Sequence, residues 1–504
     1  MPKYVIGLDN GGTVVKAAVF DLTGKEIITR GMHTPVLAPR PGCTERDMEK
    51  LWRHNCQCVR DAITGARLDS RDVIGIAVCG HGKGLYLWGK DNRPAYNGIV
   101  STDSRAWEYP EKWYASGAAQ KIYPQICQKL LASQQVSLLA WLKDREPAVY
   151  ENIRWVFSVK DYIRFRMTGE AYSEATDISG SGLMDIMNVK FDKEQLDILG
   201  IGEIYDKLAP IRFSYEKCGS ITAEAGELTG LREGTPVAGG MFDIDACAVA
   251  MDITNPDALC TIAGTWSINE YIAETPVTDG SIAMNSLFAI PPYFLVEECS
   301  ATSAGNLDWF LDNFFDKKNV PEGRRLYEYA DELAASIPPE QSDVYFLPFL
   351  YGSNDHPLGK AAFIGLTAYH ELNHCLRAVY EGVVYSHKTH IDRLLKTRPA
   401  PKAIRIAGGA VNSPVWVQMF ADILGFPMET IAAKELGALG CAMAAAIAAG
   451  EFRDYAEAVS AMTRIQRKIE PNPATVEIYR RKYEKYTAVR TALSGIWDQF
   501  KTYP

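Results

Sequence analysis

Residues 4–20 read YVIGLDNGGTVVKAAVF: an apolar run, a polar turn rich in glycine, and a second apolar run. Residues 259–272 read LCTIAGTWSINEYI and repeat this order in the second half of the chain. Each stretch predicts two strands joined by a turn, and each is followed by alternating strand and helix patterns. The duplication predicts two α/β domains with mixed sheets flanked by helices, residues 1–252 and residues 253–504, with a cleft between them.

The composition is that of a folded globular protein and excludes several classes of function. The 504 residues are 47% hydrophobic and 23% charged, so large cores can form without disulfides or structural metals. The 53 basic and 62 acidic residues give a net charge of −9, which argues against nucleic-acid and anionic-membrane partners. The longest apolar run, residues 436–450, is too short to span a bilayer and predicts a buried helix. Asp9 interrupts the first apolar run, which argues against a secretory signal. The 11 cysteines form no paired CxxC motifs, so we expect a cytoplasmic protein with reduced thiols.

The two turns have the chemistry of phosphate-binding loops. Asp9 and residues 10–13 offer main-chain N–H groups, a hydroxyl, and a carboxylate that could hold a hydrated Mg²⁺. An ordinary hairpin turn accounts for the same residue types. The recurrence of Gly264 and Thr265 at the matching place in the second half favours a pair of turns that grip a polyphosphate. Neither a Walker A sequence nor a strand-linked GxGxxG occurs in the chain.

Two further segments place small or acidic residues directly after predicted strands. Residues 408–410 (GGA) precede Ser413, which is placed to cap a helix, and their small side chains would let a flat ring approach the backbone. Close packing of the helix on the strand explains these glycines equally well. Asp243 follows residues 236–240 and stands at the start of a predicted helix, as either a capping carboxylate or a general base.

Residues 370–374 (HELNH) match the HExxH pattern of zinc proteases. A zinc site of that type needs a third ligand, but Arg377 and Tyr380 occupy the places where a metzincin continues with Gly and His. We therefore assign these histidines to the first turn of a long helix rather than to a metal site.

Taken in chain order, these landmarks resemble those of the FGGY carbohydrate kinases over essentially the whole chain. The matching segments are residues 7–13 with Lys16, residues 160–163 (KDYI) with residues 168–169 (TG), residues 264–265 (GT), residues 365–366 (GL) with residues 377–382 (RAVYEG), and residues 408–422. The resemblance implies two actin-like ATPase (ribonuclease H-like) domains and a kinase that transfers the γ-phosphoryl group of ATP to a sugar with the help of Mg²⁺.

The resemblance also implies roles for individual residues. By the family's motifs Asp243 is the catalytic base, and Asp9 holds Mg²⁺ through water. The residues that bind the sugar are His81, Lys83, Asp103 and Asp243. Those that bind ATP and its phosphates are Gly11, Gly12, Thr13, Lys16, Gly264, Thr265, Gly408, Gly409, Ala410 and Asn412.

Within the family, three segments are similar to the L-xylulose kinase (3-keto-L-gulonate kinase) subgroup: residues 82–85 (GKGL), residues 101–106 (STDSRA) and residues 349–354 (FLYGSN). The resemblance thus implies a ketopentose substrate, L-xylulose or a related ketose. D-xylulose kinases carry Met-His at the place of Gly82 and Lys83, which argues against D-xylulose. The Lys83 ammonium could bind the carboxylate of a ketose acid, or it could cap a turn.

Other substrates and one other class of function stay open at this point. A kinase for another pentulose, for a polyol such as glycerol or erythritol, or for a ketose acid would carry the same landmarks. An actin-like ATPase switch that binds a protein partner would share the fold, but it would leave Asp103 and Asp243 without a task. The sequence also leaves open a homodimer.

Overall fold

The structure is a computed structural model that describes residues 2–356 and 358–500. The chain divides into two compact units. The first comprises the chain up to Thr254, Ile272–Val296 and Ala433–Arg464. The second comprises Asn255–Tyr271, Glu297–Ala432 and the chain from Ile465 onward. The division into residues 1–252 and residues 253–504 remains a prediction for the folding domains.

Strands and helices are interspersed through the described residues, as the pattern predicts. The strands are β1 (Tyr4–Asn10), β2 (Val14–Asp21), β3 (Glu26–His33), β4 (Glu45–Arg46), β5 (Val73–Gly80), β6 (Tyr86–Gly89), β7 (Gly98–Ile99), β8 (Ile153–Phe157), β9 (Ser173–Glu174), β10 (Met184–Asp185), β11 (Lys190–Phe191), β12 (Ile211–Arg212), β13 (Lys217–Ser220), β14 (Pro236–Ala238), β15 (Met241–Phe242), β16 (Ala258–Ala263), β17 (Ser267–Ala273), β18 (Met284–Leu287), β19 (Phe294–Ser300), β20 (Tyr345–Leu347), β21 (Ala362–Ile364), β22 (Ala403–Ala407), β23 (Met428–Ile431) and β24 (Ile465–Ile469).

The helices are α1 (Met48–Gly65), α2 (Glu108–Ser116), α3 (Ala118–Ile126), α4 (Gln135–Arg145), α5 (Pro147–Asn152), α6 (Val159–Thr168), α7 (Ala175–Ser179), α8 (Lys193–Ile198), α9 (Ala223–Thr229), α10 (Asp243–Ala250), α11 (Gly305–Phe314), α12 (Leu326–Ala335), α13 (Leu372–Leu394), α14 (Pro414–Leu424), α15 (Leu436–Ala448), α16 (Tyr455–Met462) and α17 (Pro473–Ser494).

The main sheet of the first unit is mixed, as predicted, and runs in the order β13-β14-β5-β1-β2-β3. Strand β1 pairs antiparallel with β2 and parallel with β5, and β15 adds to the other side of β5. The Ala- and Gly-rich helix α15 packs on β1 and β5, which confirms the buried helix predicted from its composition. A Cβ on Gly7 would lie 1.7 Å from the carbonyl oxygen of Ala438, so β1 and α15 touch backbone to backbone. This packing holds the carboxyl end of β1 in place.

The sheet of the second unit is also mixed. Five consecutive strands have the order β17-β16-β22-β23-β24, with β16 antiparallel to β17 and parallel to β22. Strand β22 runs into Gly408, whose φ of +91° lies in the left-handed region. A Cβ there would lie 2.4 Å from the carbonyl oxygen of Ala263 and 2.8 Å from the amide nitrogen of Gly264. The segment after β22 therefore packs directly on the turn between β16 and β17.

In the part of the chain that the structure describes, none of the helices has both the length and the apolar character needed to cross a membrane.

Candidate active site

Three adjacent parallel strands of the first unit end together, and predicted site residues follow each of them. Strand β5 lies between β1 and β15, with Cys79 in register with Asp9 on one side and with Met241 on the other. Because neighbouring strands are about 4.8 Å apart, the ends of β1 and β15 are about 10 Å apart. The turn of residues 10–13 leaves β1, residues 81–83 leave β5, and Asp243 leaves β15. Such an edge is where open α/β sheets bind ligands.

The turn after β1 exposes its backbone. Gly11 is half-buried, and Gly12 and Thr13 are exposed. A Cβ on Gly12 would meet nothing within 4 Å, and neither glycine has a left-handed φ. The geometry of an ordinary hairpin turn therefore does not require glycine at residue 12. What glycine provides here is an uncovered main chain that a ligand can approach closely.

Asp9 is a buried carboxylate beside this turn. Its Oδ1 is buried and makes no hydrogen bond with any residue that the structure describes. Burial raises the pKa of Asp9 to about 6, although the charge of Lys16 and a hydrogen bond with the Cys79 thiol act against this rise. Lys16 itself pairs with Glu435 at 2.9 Å. An orphaned carboxylate oxygen fits a water molecule of a hydrated Mg²⁺, and among the described residues no group of three or more His, Cys, Asp or Glu side chains could hold a metal ion directly.

Asp243 is the first residue of α10 and is half-buried. The cap position of the helix belongs to Phe242, so the structure does not place Asp243 as the capping residue. The electrostatic surroundings of Cys79 include both Asp9 and Asp243, which agrees with their position at one edge of the sheet. Asp243 is thus a half-buried carboxylate after the end of β15, at the same edge of the sheet as the glycine-rich turn.

The residues predicted to bind sugar lie in the same unit. Asp103 is buried, and its Oδ2 accepts hydrogen bonds from the Thr44 amide at 2.7 Å and the Arg105 guanidinium at 2.8 Å. His81 is buried and lies 3.1 Å from the Tyr86 hydroxyl through Nε2. Burial lowers the pKa of His81 to about 3, so its imidazole is neutral at physiological pH. Neutral imidazole and a fixed carboxylate suit hydroxyl groups rather than anions.

Lys83 has a backbone that lysine rarely adopts. Its φ is +63°, in the left-handed region, and its side chain is half-buried. Within the described chain its ammonium forms neither a hydrogen bond nor an ion pair. The side chain therefore does not cap the turn, and a strained, uncompensated cation at the end of β5 is a candidate for binding a ligand.

The second unit presents the remaining predicted residues. Gly264 and Thr265 form the turn between β16 and β17, where a Cβ on Gly264 would meet nothing within 4 Å. Gly409 and Asn412 are exposed after β22, whereas Ala410 is buried. Ser413 caps α14, as predicted, and accepts a hydrogen bond from the Trp416 amide at 3.0 Å.

Sequence reasoning missed Arg46. This residue is fully buried, and its Nη2 donates to the carbonyl oxygen of Gly11 at 3.0 Å. Its neighbour Glu45 pairs with Arg105 at 2.8 Å, and Arg105 in turn binds Asp103. Strand β4 thus connects the turn after β1 with the carboxylate of Asp103. A two-residue strand has no periodicity that would reveal this role in the sequence.

The histidines of the HELNH segment form hydrogen bonds within the fold near the start of α13. Helix α13 begins at Leu372, so His370 lies before the helix and the two histidines do not share one helical face. His370 Nε2 lies 2.6 Å from Asp343 Oδ1. His374 accepts a hydrogen bond from the Glu371 amide and completes a capping box. The prediction that both histidines lie in the first turn of the helix is therefore wrong for His370, and only His374 caps α13.

Comparison with known proteins agrees with this arrangement. Residues 4–250 match the N-terminal domain of the FGGY family of carbohydrate kinases, and residues 259–449 match its C-terminal domain. The chain is 36% identical to the L-xylulose/3-keto-L-gulonate kinase of Escherichia coli strain K12, with 99% of each chain covered. It is 35% identical to a protein of Pasteurella multocida named "Probable L-xylulose kinase", with 98% of this chain and 100% of the relative covered.

A solved structure shows the same fold. The crystal structure of gluconate kinase from Lactobacillus acidophilus superposes with a TM-score of 0.90 at 24% identity and covers 99% of this chain and 100% of that one. The two mixed-sheet α/β units therefore have the actin-like ATPase fold of sugar kinases. With both family domains matched and full-length relatives above 30% identity, the chain belongs to the FGGY family of carbohydrate kinases, enzymes that transfer a phosphoryl group to a sugar.

Proposed function

We propose that the protein transfers the γ-phosphoryl group of ATP to a hydroxyl of L-xylulose or a closely related ketose. Members of the family use ATP as phosphoryl donor. The observation that carries the proposal is the meeting of the glycine-rich turn, residues 81–83 and Asp243 at the ends of three adjacent strands. The names of the relatives from Escherichia coli and Pasteurella multocida support the choice of sugar.

Asp243 is the catalytic base in this proposal. Phosphoryl transfer demands little covalent chemistry from the protein, so a carboxylate that orients the attacking hydroxyl and accepts its proton is sufficient. The half-buried position of Asp243 lets its carboxylate reach a ligand while it stays fixed at the start of α10.

We assign the phosphates and the adenosine of the nucleotide to separate groups of residues. The residues that bind the phosphates are Gly11, Gly12, Thr13, Lys16, Gly264 and Thr265. Adenosine binds to residues 408–410 and Asn412. The open space around Gly12, Gly264 and Gly409 supports these assignments, because main-chain N–H groups must approach phosphate oxygens or a flat ring closely. Asp9 holds Mg²⁺ through water, and the cation would neutralise charge on the phosphates.

The sugar binds to His81, Asp103 and Lys83 in addition to Asp243. Neutral His81 and the carboxylate of Asp103 are suited to sugar hydroxyls. Lys83, with its unpaired ammonium, recognises the carboxylate when the substrate is a ketose acid. A cytoplasmic location would keep the 11 free cysteines reduced.

The experiment is an ADP-release assay with a panel of sugars: L-xylulose, D-xylulose, 3-keto-L-gulonate, glycerol and erythritol. We expect ADP release to depend on sugar, to be fastest with L-xylulose or the ketose acid, and to fall at least about 100-fold in Asp243→Asn. The matched control is Asp206→Asn, which changes an exposed carboxylate of the same unit.

Two results would contradict the proposal. ADP release at the same rate with and without every sugar would favour an ATPase switch that binds a protein partner. Full sugar phosphorylation by Asp243→Asn would remove the proposed base.

A further inference from the structure

A buried cluster of charged side chains lies behind the strand that leads to Asp243. Its members are Lys160, Asp161, Arg164, Glu174 and Asp177, each at most 2% exposed. The Lys160 ammonium lies 2.9 Å from Asp161, 3.2 Å from Glu174 and 3.6 Å from Asp177. Arg164 pairs with Asp161 at 2.8 Å. Each carboxylate of the cluster lies within 3.6 Å of a buried cation, and removing one partner from such a set leaves an uncompensated buried charge.

Two side chains connect this cluster to the backbone before Asp243. The Thr176 hydroxyl accepts a hydrogen bond from the Phe242 amide at 2.9 Å and donates one to Glu174 Oε2 at 2.7 Å. On the other side, Arg164 Nη1 donates to the carbonyl oxygen of Gly239 at 2.6 Å. The four-residue segment 239–242 is therefore hydrogen-bonded to the charged cluster at both of its ends.

The segment packs closely against neighbouring backbone at Gly239 and Gly240. A Cβ on Gly239 would lie 2.4 Å from the carbonyl oxygen of Phe213. Gly240 has a φ of +76°, and a Cβ there would lie 2.0 Å from the carbonyl oxygen of Val78 in β5. Since Asp243 follows directly and begins α10, the position of its carboxylate depends on where this segment is held.

We infer that Thr176 and Arg164 are positioning residues for the proposed base Asp243: they transfer the rigidity of the buried ionic cluster to the segment 239–242. This inference rests on the proposed function, in which Asp243 accepts the proton of the sugar hydroxyl. A misplacement of about 1 Å in a reacting group can lower the rate about 100-fold, so a loss of these hydrogen bonds affects turnover more than binding.

The test uses Thr176→Val, which keeps the shape of the side chain and removes its hydroxyl, and Thr176→Ser, which restores the hydroxyl. We expect Thr176→Val to lower kcat about 10-fold or more with the KM values for sugar and ATP within about twofold of wild type, and Thr176→Ser to recover kcat to within about twofold. The matched control is Thr235→Val. Thr235 is a buried threonine of the same unit whose hydroxyl has no hydrogen-bond partner among the described residues, and this variant should keep wild-type kcat.

Arg164→Lys is the second variant, and it keeps the inference testable if Thr176→Val does not fold. It preserves the charge but loses the guanidinium, whose Nη1 contacts both Gly239 and Asp161 and whose Nη2 donates to the carbonyl oxygen of Tyr172. It should also lower kcat without raising KM. The inference is overturned if folded Thr176→Val or Arg164→Lys keeps wild-type kcat, or if only the KM values change. It is also overturned if Thr176→Ser is as slow as Thr176→Val. If Asp243→Asn is inactive in the same assay while Thr176→Val is fully active, the inference alone fails. If Asp243→Asn is fully active, the proposed base fails as well.

Discussion

The replacement of Asp9 by asparagine should stabilise the ligand-free protein and disable the enzyme. Burial raises the pKa of Asp9 from its ordinary value of 3.8 to about 6. The difference of about two units, at 1.36 kcal/mol per unit, means that the ionised carboxylate destabilises the fold by about 3 kcal/mol at neutral pH. An asparagine side chain at this position would carry no such charge. If the charge exists to bind hydrated Mg²⁺, its removal should lower kcat/KM about 10- to 100-fold.

The stability of wild type relative to Asp9→Asn should fall as the pH rises. Below pH 3.8 Asp9 is protonated in both the folded and the unfolded chain, and it contributes no penalty. As the pH rises from about 4 to 6, the unfolded chain loses the proton first, so the stability of wild type falls relative to Asp9→Asn and then levels off above pH 6.

Urea unfolding of the apo protein in EDTA at pH 5 and pH 7.5 measures this difference, and Asp206→Asn, which changes an exposed carboxylate, is the control. The reasoning is refuted if Asp9→Asn is less stable than wild type at pH 7.5, or if the difference between the two proteins does not grow between pH 5 and pH 7.5. Retention of full Mg²⁺-dependent activity by the variant would separately reject the cation site.

Three further predictions concern neighbouring residues. Gly7→Ala should lower the melting temperature sharply or prevent folding, because its Cβ would lie 1.7 Å from a backbone oxygen. Gly12→Ala should keep the free energy of unfolding within about 0.5 kcal/mol of wild type but raise the KM for ATP. Equal effects of the two variants in melting and kinetic assays would contradict this prediction. Lys83→Met should lower kcat/KM for a ketose acid at least about 10-fold relative to neutral L-xylulose, and an unchanged ratio in the ADP-release assay would count against recognition of a carboxylate. His81→Gln should leave the fall in rate on the acidic side of the pH–rate profile, near pH 6, unchanged. The reason is that the pKa of His81 is about 3, whereas that of Asp9 is about 6. Loss of this fall in the variant would assign it to the histidine instead.

The local features of the fold could be predicted from the sequence, because they depend on short-range patterns. The two strand–turn–strand units of residues 4–20 and residues 259–272, the mixed sheets and the capping of α14 by Ser413 all agree with the structure. The packing of α15 on β1 could not be predicted. It joins residues more than 400 positions apart, and no periodicity in either segment specifies its partner.

The proposed site residues at the ends of strands carry a local signal of the same kind, since each is a polar residue after an apolar run. Asp9, His81 and Asp243 belong to this class. Arg46 and Thr176 could not be found, because their importance lies in hydrogen bonds to Gly11 and Phe242 that only the folded chain brings into reach. A buried threonine or arginine looks in sequence like any other polar residue in a helix or loop.

The glycines of the two turns and strands fall into two classes that the structure distinguishes. Gly7 and Gly408 are required by packing, because a Cβ at either position would overlap a neighbouring backbone atom. Gly12, Gly264 and Gly409 have open space around the place of a Cβ and no left-handed φ, so neither packing nor backbone conformation requires glycine there. The chain nevertheless carries glycine at all three, in the segments assigned to ATP. The open backbone at these three positions supports the proposal that a ligand approaches it, because such an approach needs an uncovered main chain.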